Sequence, residues 1–155
     1  MDPREQSVPT SIGLLLLRLG AGGFMITHGW GKVQTLLQVV KGHYEGKEVP
    51  FPDPIGLGPA FSLALAALAE FFCALLVTVG FATRLASIPP AITMIVAALI
   101  VHGADPWTSG PDSPASKEPA LLFLSAFLAL FFTGPGQFSL DASLKRRRAK
   151  VEAAK

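Results

Sequence analysis

The sequence predicts an all-α protein: a four-helix transmembrane bundle with a structured outer loop and a short C-terminal basic segment. Half of the 155 residues are hydrophobic and only 15% are charged, whereas soluble domains carry about 25% charged residues. The mean hydropathy is +0.48, and four apolar segments approach the length of about 20 residues that a spanning helix needs. These observations argue against a soluble globule, a disordered chain and a nucleic-acid binder. The length fits a single membrane domain over residues 1–155.

The four spans are predicted at about residues 12–31, 60–82, 85–102 and 119–134. In the first, Arg18 falls within the apolar region and no small-residue cleavage site follows, which argues against a cleaved signal peptide. The turn at Thr83 and Arg84 is too short for anything but an antiparallel hairpin between the second and third spans. Pro89 and Pro90 remove backbone donors one turn into the third span, where they should define its first turn or kink it.

The fourth span is short, and a long outer loop lies between the first two spans. Counted from Pro119 to Thr133, the fourth span rises about 22 Å, less than the hydrocarbon thickness of about 30 Å. We expect the bilayer to thin there, or flanking residues such as Phe138 to extend the apolar contact. The outer loop, from about residue 33 to 58, is rich in proline and glycine near its end. We expect it to form an ordered, non-helical hairpin resting against the bundle.

Lysine and arginine residues are unevenly distributed between the two sides of the predicted bundle. With four spans both termini lie on one side, which carries eight of these residues against four on the other, with Arg18 inside a span. Because basic residues favour the cytoplasmic side, both termini are predicted to be cytoplasmic. The eight are Arg4, Arg84, Lys145, Arg146, Arg147, Arg148, Lys150 and Lys155. We expect the C-terminal run among them to touch anionic lipid as well.

A helix rise of about 1.5 Å per residue predicts two polar layers within the bundle. The inner-to-middle layer comprises Arg18, Glu70, Thr93 and Ser125. An isolated charge near the bilayer centre costs from about 2.5 kcal/mol upward, so we expect Arg18 and Glu70 to form an ion pair. Gly22 and Gly29 give the first helix a small-residue face, which lets the second helix approach closely.

The outer layer holds His28 and His102, both about 25 Å from the inner end of their helices. Histidine titrates near neutral pH, so these two residues are candidate catalytic residues, with Glu70 as a third. The plainer alternatives are histidines that merely bond loop carbonyls and a structural Arg18–Glu70 lock. The candidate ligand-binding residues are Arg18, Lys32, Asp53, Asp105, Lys117 and Glu118.

We predict no metal site and no covalently bound cofactor. Two histidines with Asp53 or Asp105 could be assembled as ligands, but their spacing specifies no metal. Cys73 is the single cysteine, which excludes an internal disulfide and a cysteine-ligated iron–sulfur cluster.

An ordered series of short motifs runs through nearly the whole chain. It comprises Leu16-Leu17-Arg18-Leu19-Gly20, His28-Gly29-Trp30-Gly31-Lys32, Phe51-Pro52-Asp53-Pro54-Ile55-Gly56-Leu57-Gly58, Ala69-Glu70-Phe71, Gly80-Phe81-Ala82-Thr83-Arg84, His102-Gly103, Asp105-Pro106, Lys117-Glu118-Pro119-Ala120 and the segment 134–141. In this order the motifs resemble the DoxX family. The resemblance implies a four-helix integral protein of the bacterial or archaeal cytoplasmic membrane. Named members of that family are associated with thiosulfate:quinone oxidoreductase, with terminal quinol oxidase complexes and with membrane-bound redox defence.

The first functional hypothesis is therefore a membrane subunit of a quinone-linked oxidoreductase system, with a polar site near the outer face. His28 and His102 would handle protons, Lys32 would attract negative charge, and an Arg18–Glu70 pair would brace the site. The sequence shows no second domain for a flavin or metal centre, so a quinone or a partner subunit must supply the electron carrier. The alternatives are a small-molecule binding or transport protein and a non-catalytic scaffold for a membrane redox complex. The expected partners are the lipid bilayer, redox partner subunits and further copies of the chain, but no nucleic acid.

Overall fold

The computed structural model describes residues 6–110 and 113–154, and within them the fold is helical apart from one isolated bridge between Gly110 and Ser113. The described elements are α1 (Val8–Val40), α2 (Pro59–Ala67), a first π-helical segment (Leu68–Cys73), α3 (Ala74–Val79), α4 (Thr83–Ala86), α5 (Ile88–Val96), a second π-helical segment (Ala97–Val101), α6 (Glu118–Thr133) and α7 (Leu140–Glu152). The predicted all-α class is confirmed for this part of the chain.

Consecutive helical elements join end to end into long helices, which we call rods and number in chain order. Three rods are long and apolar enough to cross a membrane, namely Val8–Val40, Pro59–Val79 and Thr83–Val101, whereas Glu118–Thr133 is apolar but shorter. Many large apolar side chains point away from the packed interior, and Leu16, Phe24, Leu85, Leu99 and Phe132 are between 64% and 72% exposed. So much exposed apolar surface suits contact with lipid. Arg4 and Lys155, which enter the predicted orientation, lie outside the described residues.

The first helix is longer than the predicted span. The Ser7 side chain caps its start by accepting from the Thr10 amide, and the helix continues to Val40 because no glycine with positive φ interrupts it before Gly42. The expectation of a non-helical segment from residue 33 onward is therefore wrong for 33–40. A helix of 33 residues rises about 50 Å, so its last turns project beyond the hydrocarbon layer of about 30 Å.

The second and third rods are joined by the short turn that the sequence predicts. Gly80 ends α3 with a φ of 77°, and Ala82 also has a positive φ, at 47°. Pro89 and Pro90 lie in the first turn of α5, as expected. The two π-helical segments were not predicted from the sequence. Single π turns inside α-helices are frequent at functional sites, and here the first contains Glu70 and the second leads directly to His102.

The rods pack closely, and glycine makes the closest approach possible. The first helix contacts the second rod along its length, while α6 packs against α5 and α1. A Cβ on Gly22 would lie 2.3 Å from the Thr78 hydroxyl oxygen, and one on Gly29 would lie 2.5 Å from the Glu70 carbonyl carbon. The predicted small-residue contact between the first two rods is therefore confirmed. Phe127, Leu130, Met25 and Val77 fill the core, each at most 1% exposed.

The two ends of the packed rods differ, and we call them the loop end and the terminal end. The loop end carries the loops 41–58 and 102–117. The terminal end carries Gln6, the turn 80–82 and α7. Gln6 Nε2 donates to the Thr133 carbonyl at 2.9 Å, which places both described chain ends at the same end of the rods.

Candidate functional site

Four of the predicted catalytic and ligand-binding residues line one cavity at the loop end. The cavity has a volume of about 340 Å³ and is lined by His28, Lys32, Glu70 and His102 among mostly apolar side chains. Its apolar wall includes Met25 and Phe123, and the loop residues Phe51, Pro52, Pro54 and Ile55 also line it. The loop therefore rests against the helices, as the sequence predicts. Ligand pockets typically have volumes of about 300–1,000 Å³ and are mostly apolar with a few polar groups.

An ion pair at the polar part of this cavity joins α1 to the first π-helical segment. Lys32 Nζ donates to Glu70 Oε2, and the Glu70 side chain is only 4% exposed while that of Lys32 is 25% exposed. The predicted Arg18–Glu70 pair is wrong. In the antiparallel packing of α1 against the second rod, Gly29 is the residue level with Glu70, so Lys32, one turn later, reaches the carboxylate. Arg18 lies eleven residues before Gly29, about 16 Å away along the helix.

Arg18 lies instead at the terminal end. Its side chain is fully buried, and its Nη2 donates to the Phe138 carbonyl at 2.5 Å. Its Nε and Nη1 atoms have no hydrogen-bond partner in the described structure. The side chain passes directly beneath Gly80, where a Cβ would lie 1.9 Å from Nη1. This arrangement makes Arg18 a positioning residue for the segment that leads into α7, and not a lining residue of the cavity.

The two predicted histidines reach the cavity from different rods. His28 packs edge-on against Phe123, with ring centroids 5.7 Å apart. His102 follows the second π-helical segment, and its Nδ1 lies 2.7 Å from Asp105 Oδ2. A carboxylate that accepts a hydrogen bond from Nδ1 orients the ring and leaves Nε2 as the nitrogen that can accept a proton. Asp105 therefore acts through His102, which itself lines the cavity.

Two further predicted site residues, Lys117 and Glu118, do not line the cavity. Lys117 Nζ lies 5.2 Å from the centroid of the Trp107 ring, a cation–π geometry. Glu118 is exposed in the first turn of α6. Thr93, expected in the inner layer, lines the cavity. Ser125, also expected at that depth, is exposed on the surface of α6 and donates to the Leu122 carbonyl of its own helix. Within residues 6–110 and 113–154, no three His, Cys, Asp or Glu side chains cluster as metal ligands would.

Asp53 holds the loop that covers the cavity. Its carboxylate accepts from the Leu57 amide at 2.9 Å, the Gly58 amide at 2.8 Å and the Ser62 hydroxyl at 2.9 Å. Desolvation raises the pKa of Asp53, but these hydrogen bonds outweigh it, so the pKa lies below its ordinary value of 3.8. Asp53 therefore ties the loop to the start of α2 and does not line the cavity itself. Its neighbours Phe51 and Ile55 do line it.

This loop is expected to loosen in acid. A carboxylate whose folded pKa is depressed contributes stability that is fully present above its unfolded pKa and is lost as the pH falls through the folded pKa. We therefore expect hydrogen exchange at the Leu57 and Gly58 amides, corrected for its intrinsic rate, to accelerate as the pH falls below 3.8. In Asp53→Asn the exchange should already be several-fold faster at neutral pH, with no further acid step. An acid step of the same size in Asp53→Asn would contradict this role.

Sequence analysis did not find the apolar lining of the site. Phe123, Met25 and Ile55 are indistinguishable in the sequence from other apolar residues of a membrane protein. The one usable signal was Phe51 to Gly58, whose prolines and glycines indicated an ordered loop against the helices. The polar members were found because charge and histidine are rare in spanning helices.

Comparison with known proteins agrees with this architecture. The sequence profile of the DoxX family matches residues 13–103, a stretch that includes most of α1, the second and third rods, and the residues His28, Lys32, Glu70 and His102 of the cavity. The inner membrane protein YqjF of Escherichia coli (strain K12) is 29% identical over 136 residues, which cover 88% of this chain and 95% of that protein. No solved structure matches the chain. Because the family profile covers more than half of a chain with several membrane-length apolar helices, this protein is a membrane protein that belongs to the DoxX family.

Proposed function

We propose that this protein is the quinone-binding membrane subunit of an oxidoreductase system. The observation that carries the proposal is the convergence of His28, His102 and the Lys32–Glu70 pair on one mostly apolar cavity. A quinone head group is a flat, largely apolar ring with carbonyl oxygens that accept hydrogen bonds. Apolar walls from Met25 and the loop suit the ring, and the ammonium and imidazole groups suit the carbonyls.

The chemistry of the residues fits such a ligand. A bound quinone supplies a carrier of two electrons and two protons, with the electrons exchanged through a partner subunit. His102 is held by Asp105 at 2.7 Å, so it can hold a proton at a fixed position and transfer it at the cavity wall. The Lys32 ammonium, whose position Glu70 fixes, would hold a carbonyl oxygen of the head group by a charge-assisted hydrogen bond.

The position of the cavity supports a ligand that arrives from the membrane. Leu65 and Ile92 both line the cavity, yet they are 40% and 55% exposed. They therefore lie on the perimeter of the packed helices, where acyl chains are in contact with the protein. An amphiphile can enter between these side chains without crossing water, which a purely polar substrate would have to do.

We further propose that α6 is the fourth span and that the protein resides in the inner membrane with both termini in the cytoplasm. The name of the YqjF relative supports the location, and the excess of lysine and arginine at the terminal end supports the orientation. A span of 16 residues requires local thinning of the bilayer or tilting of its neighbours. In this orientation the cavity lies in the outer half of the membrane.

Binding of a short-chain quinone analogue to the purified protein tests the proposal. We expect saturable binding that His102→Gln weakens by about tenfold, because the substitution removes the imidazole hydrogen bond at the cavity wall. His43→Gln is the matched control, since His43 is exposed in the loop and contacts Tyr44. Absence of binding, or equal losses in the two variants, would overturn the proposal. Binding without quinone-dependent electron transfer, even with copurifying partners, would favour a small-molecule carrier.

A further inference from the structure

A second cavity, at the terminal end, carries a different chemistry. Its volume is about 450 Å³, and Arg84, Lys145 and Arg148 line it together with the carboxylate of Asp141. Among the described lining residues, three cations against one anion give the cavity a net positive charge. It lies at the opposite end of the helices from the quinone cavity and shares no lining residue with it.

The start of α7 is fixed firmly, so the cations on this helix are held in place. Ser139 caps the helix by accepting from the Ala142 amide at 3.1 Å, and the Asp141 amide donates to the Gly80 carbonyl at 2.9 Å. At 100° per residue, Asp141, Lys145 and Arg148 fall within an arc of about 60° on one face of the helix. Arg147 and Lys150 lie on other faces, which explains why only two of the basic residues of α7 line the cavity.

The charge of Asp141 is already engaged inside the protein. Its Oδ1 accepts from the Ala82 amide at 2.8 Å, and its Oδ2 accepts from the Thr83 amide at 3.1 Å and the Thr83 hydroxyl at 3.2 Å. The buried guanidinium of Arg18 also attracts it. The carboxylate therefore points at the backbone of residues 82 and 83, and its charge is offset in part by Arg18. Arg84, Lys145 and Arg148 line the cavity, and Arg84 and Lys145 have interactions within the chain as well.

Apolar residues border the same cations. Phe81, Leu85 and Leu144 line the cavity and are 43%, 72% and 42% exposed. Leu85 lies in the third membrane-length rod. The cavity thus lies where the apolar surface of the rods meets the basic helix, at the level expected for lipid head groups.

We propose that this terminal-end cavity binds the phosphate of an anionic phospholipid. Arginine and lysine are the side chains that best recognise a phosphate, through charge-assisted hydrogen bonds, and clustered basic residues next to a membrane attract anionic lipid. The exposed Leu85 and Leu144 receive the acyl chains while Arg84, Lys145 and Arg148 surround the head group. A zwitterionic lipid brings a choline cation into the same field and binds less well.

Native mass spectrometry of the protein with equal amounts of phosphatidylglycerol and phosphatidylcholine tests the proposal. We expect the natural protein to retain phosphatidylglycerol selectively. In the variant Arg84→Gln/Arg148→Gln this retention should fall by about fivefold for each cation removed. The matched control is Arg147→Gln/Lys150→Gln, which removes the same charge from other faces of α7 and should leave retention nearly unchanged. Equal losses in the two double variants, or no preference for phosphatidylglycerol in the natural protein, would overturn the site.

Two further arms keep the result interpretable. Arg84 packs over Gly134, so its substitution can affect folding. Arg148 lies on the exposed part of α7, and Arg148→Gln alone must therefore reduce retention of phosphatidylglycerol about fivefold. Glycerol phosphate serves as a soluble competitor. If it leaves phosphatidylglycerol bound at equal concentration, the lipid is the source of the phosphate, whereas full displacement would overturn the lipid assignment in favour of a soluble phosphate ester.

Discussion

Replacing Lys32 with Met is expected to lower the free energy of unfolding by about 3–5 kcal/mol, the usual cost of removing one partner of a buried ion pair. The cost arises because the Glu70 side chain, which is 4% exposed, would lose its partner in a site that water hardly reaches. Lys41→Met is the matched control, since Lys41 lies exposed just past the end of α1 and should change stability by no more than about 0.5 kcal/mol. Denaturant titration in detergent micelles, followed by circular dichroism, measures both.

The double variant Lys32→Met/Glu70→Leu separates a structural role of the pair from a functional one. Replacing a buried ion pair by apolar residues is often neutral or stabilising, so the double variant should recover most of the stability that Lys32→Met loses. If the pair also contacts a ligand, the double variant should still lose quinone-analogue binding. A stable double variant that binds the analogue normally would mean that the pair is only a lock between helices, which would favour the scaffold alternative.

The rods could be predicted from the sequence because a membrane imposes a length and an apolar composition on each span. The same constraint made the polar candidates conspicuous, and His28, Lys32, Glu70 and His102 do line one cavity. Helix rise alone placed His28 and His102 at one level, and the structure brings both to the loop end. These predictions succeeded because each depends only on position along a helix.

The prediction that Arg18 pairs with Glu70 was wrong because pairing depends on the register between the two helices. The predicted depths place the start of the first span, Ile12, level with the end of the antiparallel second span, Ala82. In the structure Arg18 is level with Gly80, the residue that follows the second rod, while Glu70 is level with Gly29. The close contacts of Gly22 and Gly29 fix this register, and nothing in a single sequence shows which residues of two rods lie side by side.

The cavity itself could not be predicted for a related reason. Its volume depends on how far residues 51–55 reach over the helices and on the two π-helical segments that line it. Each π turn accommodates an extra residue and changes the direction of the side chains that follow. Composition does not mark such turns, because apart from Glu70 the segments Leu68–Cys73 and Ala97–Val101 contain only residues that are common in α-helices of membrane proteins.

Replacing Gly29 with Ala is expected to have the second large effect, because this residue sets the register that brings Lys32 to Glu70. The added Cβ would lie 2.5 Å from the Glu70 carbonyl carbon, 2.6 Å from its oxygen and 2.6 Å from the Phe71 nitrogen. All three are backbone atoms that cannot turn aside, so α1 and the second rod must separate. Overpacking of this kind costs about 1–3 kcal/mol or more, and the separation should weaken quinone-analogue binding as well.

Gly31→Ala provides the matched control on the same helix. A Cβ at Gly31 meets nothing within 4 Å, so the substitution should act only through helix propensity and stabilise by about 0.5–1 kcal/mol. Opposite signs for the two glycines, measured in the same micelles, would show that the close approach of the backbones holds Lys32 opposite Glu70. If both substitutions stabilise the protein, the rods tolerate a wider separation than the structure shows. The ion pair would then depend on the reach of the Lys32 side chain and not on the register of the two helices.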